Sequence, residues 1–179
     1  MQFTDIVPSR NVSPGKNTCS HIVIHHTGGG SYKGNLRALS GDWSQVSCHF
    51  LLGRDGQIAK IGTPEQILRH AGESERGKLK FMNRYAIGIE IVDDIRYVNT
   101  AARFTDKQRD NLKALVKHLA NAYGIPEVNV LTHASITRSG SKQQKLWDGK
   151  SKSRKVDADR QLWANKYENF SAYRHSFYL

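Results

Sequence analysis

Two apolar segments constrain the fold of this chain more than any other feature of its sequence. Ile22-Val23-Ile24 is a run of apolar β-formers, and Tyr85 to Val92 is apolar on both faces of a strand except at Glu90. Strands of this kind are typically covered on both sides, as in sheets with helices packed against them. The sequence therefore predicts an α/β fold, with one domain built on a central mixed β-sheet flanked by helices.

One long helix and one hairpin can be placed beside these strands. Thr105 opens a capping box with Gln108, and an apolar stripe with helical spacing follows until Gly124 ends the helix. Asp55-Gly56 suits a tight hairpin turn within the run 46–61. The stripe consists of Leu112, Leu115, Val116, Leu119 and Tyr123.

Weaker patterns cover much of the remaining chain. Residues 31–45 are predicted to form a helix with ragged ends, residues 128–131 a short strand, and residues 160–170 a final helix. Residues 1–20 and 63–84 are polar and rich in turn-forming residues, so both segments are predicted to be irregular.

The length of the chain fits one domain. A sequence of 179 residues can bury a single sizeable core, and it contains no linker or repeat that would divide it. We expect one domain over residues 1–179, with its core at about 20–165, a basic loop at 138–156 and an aromatic C-terminal tail at 166–179. The tail either folds back on the core or offers an aromatic patch.

Several classes of protein are disfavoured by what the sequence lacks. No apolar run approaches the roughly 20 residues of a membrane helix. Residues 1–10 contain no apolar segment of the kind found in a secretory signal. The two cysteines, Cys19 and Cys48, are too few for a disulfide framework and are expected to be reduced thiols.

The chain is strongly basic, with a formal net charge of +11 and a pI near 9.8. This charge implies attraction to polyanions, for which nucleic acid and an anionic cell envelope fit equally well. The aromatic residues are not arranged as a base-stacking motif, and the basic loop contains no recognisable nucleic-acid fold. A nucleic-acid-binding protein stays an alternative, but no nucleic-acid partner is expected.

Two histidines lie where predicted strands end. His25 follows the strand 22–24 and precedes the glycines Gly28 to Gly30, and His133 follows the strand 128–131. A histidine in such a position is either a filler of the core or a ligand, and the first stretch taken alone favours the filler.

Glu90 is out of place in its apolar strand, because a buried carboxylate must be paired or functional. On an edge strand it would simply face water, but the run around it is too apolar for an edge. Catalytic zinc typically uses three His, Asp, Glu or Cys ligands and keeps one position for water. The wide spacing of such residues along this chain is weak support for that chemistry by itself.

Five blocks of sequence, taken in order, resemble one enzyme family. Each block is weak alone, but the ordered set, from about Ser20 to about Trp163, is specific. The chain resembles the zinc-dependent N-acetylmuramoyl-L-alanine amidases of the type-2 family, which includes phage endolysins, cytoplasmic muropeptide-recycling amidases and peptidoglycan recognition proteins. The resemblance implies a peptidoglycan recognition protein-like amidase fold. The blocks are Val23-Ile24-His25-His26-Thr27, Val46 to Gly56, Arg69-His70-Ala71-Gly72, Ile87-Gly88-Ile89-Glu90, and Thr132-His133 with Lys155-Val156-Asp157.

The resemblance also implies a set of site residues. His25, His133 and Asp157 match the Zn²⁺ ligands, Glu90 matches the catalytic glutamate, and Lys155 matches a lysine that stabilises the oxyanion. In that chemistry zinc lowers the pKa of bound water towards about 7. Glu90 would pass the water proton to the departing L-alanine amine, while zinc and Lys155 would stabilise the oxyanion on the lactyl carbonyl.

Other positions keep an alternative. His70 and His49 are assigned to substrate binding, and packing or support of a metal ligand is the alternative role for both. Some phage members of the family have a tyrosine where this chain has Cys48 and lack the glutamate, so Glu90 makes the chain resemble the glutamate-using branch.

Asp159 is an alternative third ligand. The reason is that Ala158 stands where proline is common in the family. The segment between His133 and Asp157 is also longer than in compact members, and this departure bears on the match of Lys155 rather than on that of Asp157.

The implied reaction is zinc-dependent hydrolysis of the amide bond between the lactyl group of N-acetylmuramic acid and L-alanine in peptidoglycan. The positive charge favours a phage-type endolysin that attaches to anionic envelope polymers or lipopolysaccharide. A cytoplasmic muropeptide-recycling amidase and a non-catalytic peptidoglycan-binding module are the alternatives. We expect a monomer, made in the host cytoplasm without a signal peptide, that acts on the cell wall after release.

Overall fold

The computed structural model describes residues 1–97, 103–136, 174, 175, 177 and 178. Its α-helices are α1 (Tyr32–Ser40) and α2 (Asp106–Tyr123). Its strands are β1 (Asp5–Ile6), β2 (Val12–Ser13), β3 (His21–His26), β4 (Phe50–Leu52), β5 (Ile58–Lys60), β6 (Ile67–Leu68), β7 (Glu75–Arg76), β8 (Leu79–Lys80), β9 (Ala86–Ile91) and β10 (Val130–Thr132).

The central sheet has the strand order β1-β5-β4-β9-β3-β10. Strands β4, β9, β3 and β10 run parallel, whereas β5 is antiparallel to β4 and β1 is parallel to β5. Two small ladders, β2 with β6 and β7 with β8, lie outside this sheet. The interior positions of β3 and β9 explain why both strands are apolar on both faces, and they confirm the predicted mixed sheet.

The two faces of the sheet differ in chemistry. Ile24 of β3 packs in one apolar cluster with Ile89 and Ile91 of β9, under the buried stripe of α2. Because side chains alternate along a strand, His25 and Glu90 lie on the opposite face. The sheet therefore has an apolar face under α2 and a second face that carries polar residues at the strand ends.

Helix α2 begins and ends as the sequence predicts. The Thr105 hydroxyl accepts from the Gln108 backbone N–H at 3.2 Å, and the Gln108 side chain accepts from the Thr105 N–H at 2.9 Å. Gly124 closes the helix at a left-handed φ of 64°. On the other face of the sheet, Leu39 of α1 packs in a cluster with Leu51 of β4. Neither described helix is long and apolar enough to cross a membrane.

The ends of the chain contribute more to the fold than expected. Strand β1 pairs with β5, and β2 pairs with β6, within the segment predicted to be irregular. Phe177 is fully buried in the cluster under α2, and the Tyr178 hydroxyl donates to the Ile125 carbonyl at 3.0 Å. The described residues Phe177 and Tyr178 of the tail thus pack against the core.

Three other boundaries differ from the prediction. Helix α1 ends at Ser40 rather than near 45, because Gly41 leaves the helical conformation. Strand β10 starts only at Val130, since Glu127–Asn129 forms a 3-10 turn. The segment 63–84, predicted to be irregular, contains the short strands β6, β7 and β8. The basic loop 138–156 and the predicted helix 160–170 lie outside the described residues.

Both cysteines are free thiols, and both are buried. The Cys48 thiol donates to the Phe50 carbonyl at 3.1 Å. Burial raises the pKa of Cys19 to about 11. Burial, with the nearby charge of Glu90 as a second cause, raises the pKa of Cys48 well above its ordinary value.

Candidate active site

Three neighbouring parallel strands bring the candidate residues to one edge of the sheet. His25 of β3 is the register partner of Glu90 on β9, and Ile24 is the partner of Thr132 on β10. His133 follows directly, with its backbone N–H donating to the Ile24 carbonyl at 3.1 Å. Residues far apart in the sequence therefore lie side by side at the carboxyl ends of β9, β3 and β10.

The side chains of His25 and His133 are in direct contact. Their Nδ1 atoms are 3.0 Å apart, and their ring centroids are 4.5 Å apart. Two nitrogen ligands at about 2.0–2.1 Å from one tetrahedral zinc ion are separated by roughly 3.3 Å. The two imidazoles therefore fit as neighbouring ligands of one metal ion.

The rest of the predicted metal and oxyanion site lies beyond the part of the chain that the structure describes. Lys155, Asp157 and the alternative ligand Asp159 all lie outside the described residues. Among the described residues, no group of three His, Cys, Asp or Glu side chains is arranged to hold a metal ion. The third ligand and the oxyanion lysine stay predictions.

A cavity of about 520 Å³ lies next to the histidine pair. This volume is in the range of small-molecule sites, which is about 300–1,000 Å³. Glu90 is half-buried and is one of the residues that line the cavity. The residues that line the cavity are His26, Thr27, Asn35, Ala38, Leu39, Gln45, Val46, Ser47, Arg69, His70, Gly72, Asn83, Glu90 and His133.

His70 lies between the histidine pair and the backbone of β9. Its Nδ1 is 3.0 Å from His25 Nε2, and its Nε2 is 3.1 Å from the Ala86 carbonyl oxygen. Burial, with the nearby His49 as a second cause, holds the pKa of His70 well below its ordinary value, so the ring is neutral. His70 also lines the cavity, and its predicted contact with substrate stays a prediction.

His49 is enclosed in the core. Its Nδ1 accepts from the Gly88 backbone N–H at 2.9 Å, and its Nε2 donates to the Gln66 carbonyl at 3.0 Å. Burial lowers the pKa of His49 to about 4. The side chain is 0% exposed, and both ring nitrogens are used by the backbone. This environment matches the packing role that the sequence left as the alternative to substrate binding.

A buried ion pair holds the glycine turn that follows β3. Arg103 Nη2 is 2.7 Å from Asp93 Oδ2, and both side chains are fully buried. Asp93 Oδ1 accepts from the Gly29 N–H at 2.6 Å and from the Thr27 hydroxyl at 3.2 Å. Burial alone would raise the pKa of Asp93, but the hydrogen bonds and charges of His26 and Arg103 outweigh it and lower that pKa below its usual range.

Several supporting residues were not predicted from the sequence. The Asn83 side-chain oxygen accepts from the His70 backbone N–H at 3.0 Å and so fixes the turn before β9. Asp93 comes just after β9, the same position that marks the predicted histidines. Gly88 interrupts an apolar strand, and a glycine at such a position often indicates that another group packs closely against the backbone there. No local pattern marks Arg103, whose partners are distant in the sequence.

One protein family matches most of this chain. A family model described as N-acetylmuramoyl-L-alanine amidase matches residues 15–152. No curated protein matches the sequence.

Solved structures with the same fold include AmpD, as a selenomethionine derivative. It has 24% identity, a TM-score of 0.63, and coverage of 79% of this chain and 87% of AmpD. A mutant endolysin from Bacillus subtilis has 24% identity, a TM-score of 0.59, and coverage of 81% and 93%. E. coli AmiD, in complex with the substrate anhydro-N-acetylmuramic acid-L-Ala-D-γ-Glu-L-Lys, has 25% identity and a TM-score of 0.57. That match covers 71% of this chain and 52% of AmiD.

Proposed function

The chain belongs to the N-acetylmuramoyl-L-alanine amidase family, and we propose that it uses zinc to hydrolyse the amide bond between N-acetylmuramic acid and L-alanine in peptidoglycan. The observation that supports this most is the 3.0 Å approach of His25 Nδ1 to His133 Nδ1, with Glu90 as the register partner of His25. The substrate bound by AmiD contains the same muramic acid–L-Ala unit.

His25, His133 and Asp157 are the residues that would hold the zinc ion. Imidazole and carboxylate are ligands that suit zinc. When bound, zinc supplies Lewis acidity, which makes water nucleophilic near neutral pH and polarises a carbonyl group.

Glu90 is proposed as the general base and acid. Its carboxylate accepts a proton from the water that attacks the lactyl carbonyl carbon. It then donates that proton to the L-alanine nitrogen as the C–N bond breaks. Lys155 is proposed to stabilise the negative charge that develops on the carbonyl oxygen. Glu90 is half-buried on an interior strand and lines the cavity, and this position supports its role in proton transfer.

Digestion of purified peptidoglycan tests this function. The protein is incubated with the polymer in three forms: as purified, after treatment with a chelator, and after chelation followed by addition of zinc. The products are identified by mass spectrometry. We expect free L-alanine amino termini in the first and third samples only. New glycan reducing ends would indicate a glycosidase, and binding without cleavage in every sample would indicate a non-catalytic peptidoglycan-binding module.

We propose the biological role of a phage-type endolysin, which reaches the wall from the host cytoplasm. The formal charge of +11 supports it, because a basic protein is attracted to anionic envelope polymers or lipopolysaccharide. A muropeptide-recycling enzyme acts on soluble fragments and has no need of this attraction. Lysis of outer-membrane-stripped cells should therefore weaken as salt rises, while cleavage of a soluble muropeptide should change little. Equal salt dependence in both assays would favour the recycling role.

A further inference from the structure

Three imidazoles and one backbone carbonyl form a continuous hydrogen-bonded series at the cavity. The Ala86 carbonyl oxygen is 3.1 Å from His70 Nε2, and His70 Nδ1 is 3.0 Å from His25 Nε2. His25 Nδ1 is in turn 3.0 Å from His133 Nδ1. His25 and His70 are 4% and 8% exposed, respectively, so bulk water has little access to these two rings.

The Ala86 carbonyl, at one end of this series, sets the direction of every hydrogen bond in the series. A carbonyl oxygen can only accept, so His70 Nε2 carries the proton and donates. A neutral imidazole has one donor and one acceptor, which leaves the lone pair of His70 on Nδ1. His25 Nε2 must then donate to it, and the lone pair of His25 is left on Nδ1, facing His133.

The position of the His70 ring depends on the absence of a side chain at Gly88. A Cβ placed on Gly88 of β9 would come within 2.5 Å of His70 Cγ and 2.7 Å of its Nδ1. Any other residue at this position would push the ring away from His25. A glycine in the middle of an interior strand weakens the strand, and here its lack of a side chain is what admits the ring.

We infer that His70 is a positioning residue that, anchored on Ala86 and seated against Gly88, fixes the tautomer of His25 so that Nδ1 is the nitrogen offered to a metal ion. The inference rests on the proposed function, because a tautomer matters only where His25 is a ligand. It gives His70 a role through His25, in addition to any contact with substrate. Groups that orient a ligating histidine in this way typically change metal affinity about 10–100-fold when removed.

The tautomers can be read directly in the metal-free protein. A long-range ¹H–¹⁵N spectrum of the ¹⁵N-labelled chain at neutral pH distinguishes the protonated nitrogen of each imidazole. We expect both His70 and His25 to carry their protons on Nε2. A proton on Nδ1 of His25 would overturn the inference, whether or not the protein proves to be an amidase.

Zinc affinity, measured by competition with a chromophoric chelator, provides the second test. His70→Ala should weaken zinc binding about 10–100-fold. His70→Asn should recover most of this loss, because the amide oxygen can accept from His25 Nε2 where the ring Nδ1 does so now. His21→Asn is the matched control: this buried histidine opens the same strand, and its Nδ1 is 2.8 Å from the Ser20 hydroxyl. It should leave zinc affinity unchanged.

The outcomes separate this inference from the proposed function. If His70→Ala binds zinc as tightly as the unchanged protein, the positioning role is wrong and the amidase proposal stands. If the unchanged protein binds no zinc, the zinc-dependent function fails, and the spectrum still decides the tautomer. Should His70→Ala fail to fold, the spectrum of the unchanged protein and the affinity of His70→Asn decide instead.

Discussion

His25 and Glu90 are register partners on adjacent parallel strands, on the face of the sheet opposite α2. Hydrogen-bonded strands lie about 4.8 Å apart, so the backbone ladder itself fixes the distance between the two residues. A site built on strands in the middle of a sheet is held more firmly than one built on loops. The proposed metal ligand and the proposed proton-transfer group are therefore kept in register by two interior strands of the sheet.

Replacing Glu90 by Gln tests its role in proton transfer. The amide keeps the shape of the side chain but cannot accept a proton, so we expect amidase activity to fall by about 10²–10⁴-fold. Zinc content, measured on the same preparation, should stay unchanged. Glu75→Gln, in the β7–β8 hairpin and outside the cavity lining, is the control. Full activity of Glu90→Gln would remove this residue from the mechanism.

The third zinc ligand can be assigned by a pair of variants, Asp157→Asn and Asp159→Asn. An amide is a much poorer zinc ligand than a carboxylate, so the first change should weaken zinc binding by more than about 100-fold, beyond the usual effect of residues around the ligands. The second should leave zinc affinity unchanged. Zinc retained after dialysis is the measurement. The reverse pattern would make Asp159 the ligand in place of Asp157.

The burial of His49 predicts that the folded state loses stability in mild acid. Burial lowers the pKa of His49 from 6.5 to about 4, so between these values the unfolded chain binds a proton that the folded chain does not. The free energy of unfolding should therefore fall as the pH decreases from about 6.5 to about 4, by on the order of 3 kcal/mol from this group.

Chemical denaturation of the metal-free protein at about pH 7 and about pH 4.5 measures this dependence. His49→Asn is the informative variant, because its amide oxygen can still accept from the Gly88 N–H while the titrating group is gone. Its overall stability should be lower, but its loss of stability with acid should be smaller. An unchanged pH dependence would show that His49 does not contribute.

Phe177 predicts a large contribution of the C-terminal tail to stability. Its side chain is 0% exposed within the core cluster under α2, so Phe177→Ala should lower the free energy of unfolding by about 3–5 kcal/mol. Tyr178→Phe removes only the hydroxyl that donates to the Ile125 carbonyl and should cost about 1 kcal/mol. Equal effects of the two changes in denaturation experiments would contradict the burial of Phe177.

Much of the sheet could be predicted, because its strands show local patterns. The apolar runs of β3 and β9 identified interior strands. The positions of His25, His133 and Glu90 on or just after predicted strands were also visible in the sequence, but only the family resemblance implied that the three residues act together. The capping box at Thr105 and the turn at Asp55-Gly56 are equally local and were also correct.

Other features depend on long-range packing and could not be predicted. Strands β1 and β2 have two residues each, too few to show a period, and they form only because partners far along the chain offer free edges. The contact of His70 with His25 requires the space above Gly88, and Arg103 meets Asp93 only after folding. In each case the partner is set by the tertiary structure rather than by neighbouring residues.

The burial of Cys19 and Cys48 makes the folded protein chemically simple to label. The sequence has no other cysteine, and both thiols are shielded and poorly ionised, whereas alkylating reagents react with exposed thiolates. A cysteine introduced on the surface, for example at Lys78 in the β7–β8 hairpin, would therefore take up a maleimide dye selectively. A single fluorophore could then follow the enzyme on bacterial walls while both native cysteines stay in place.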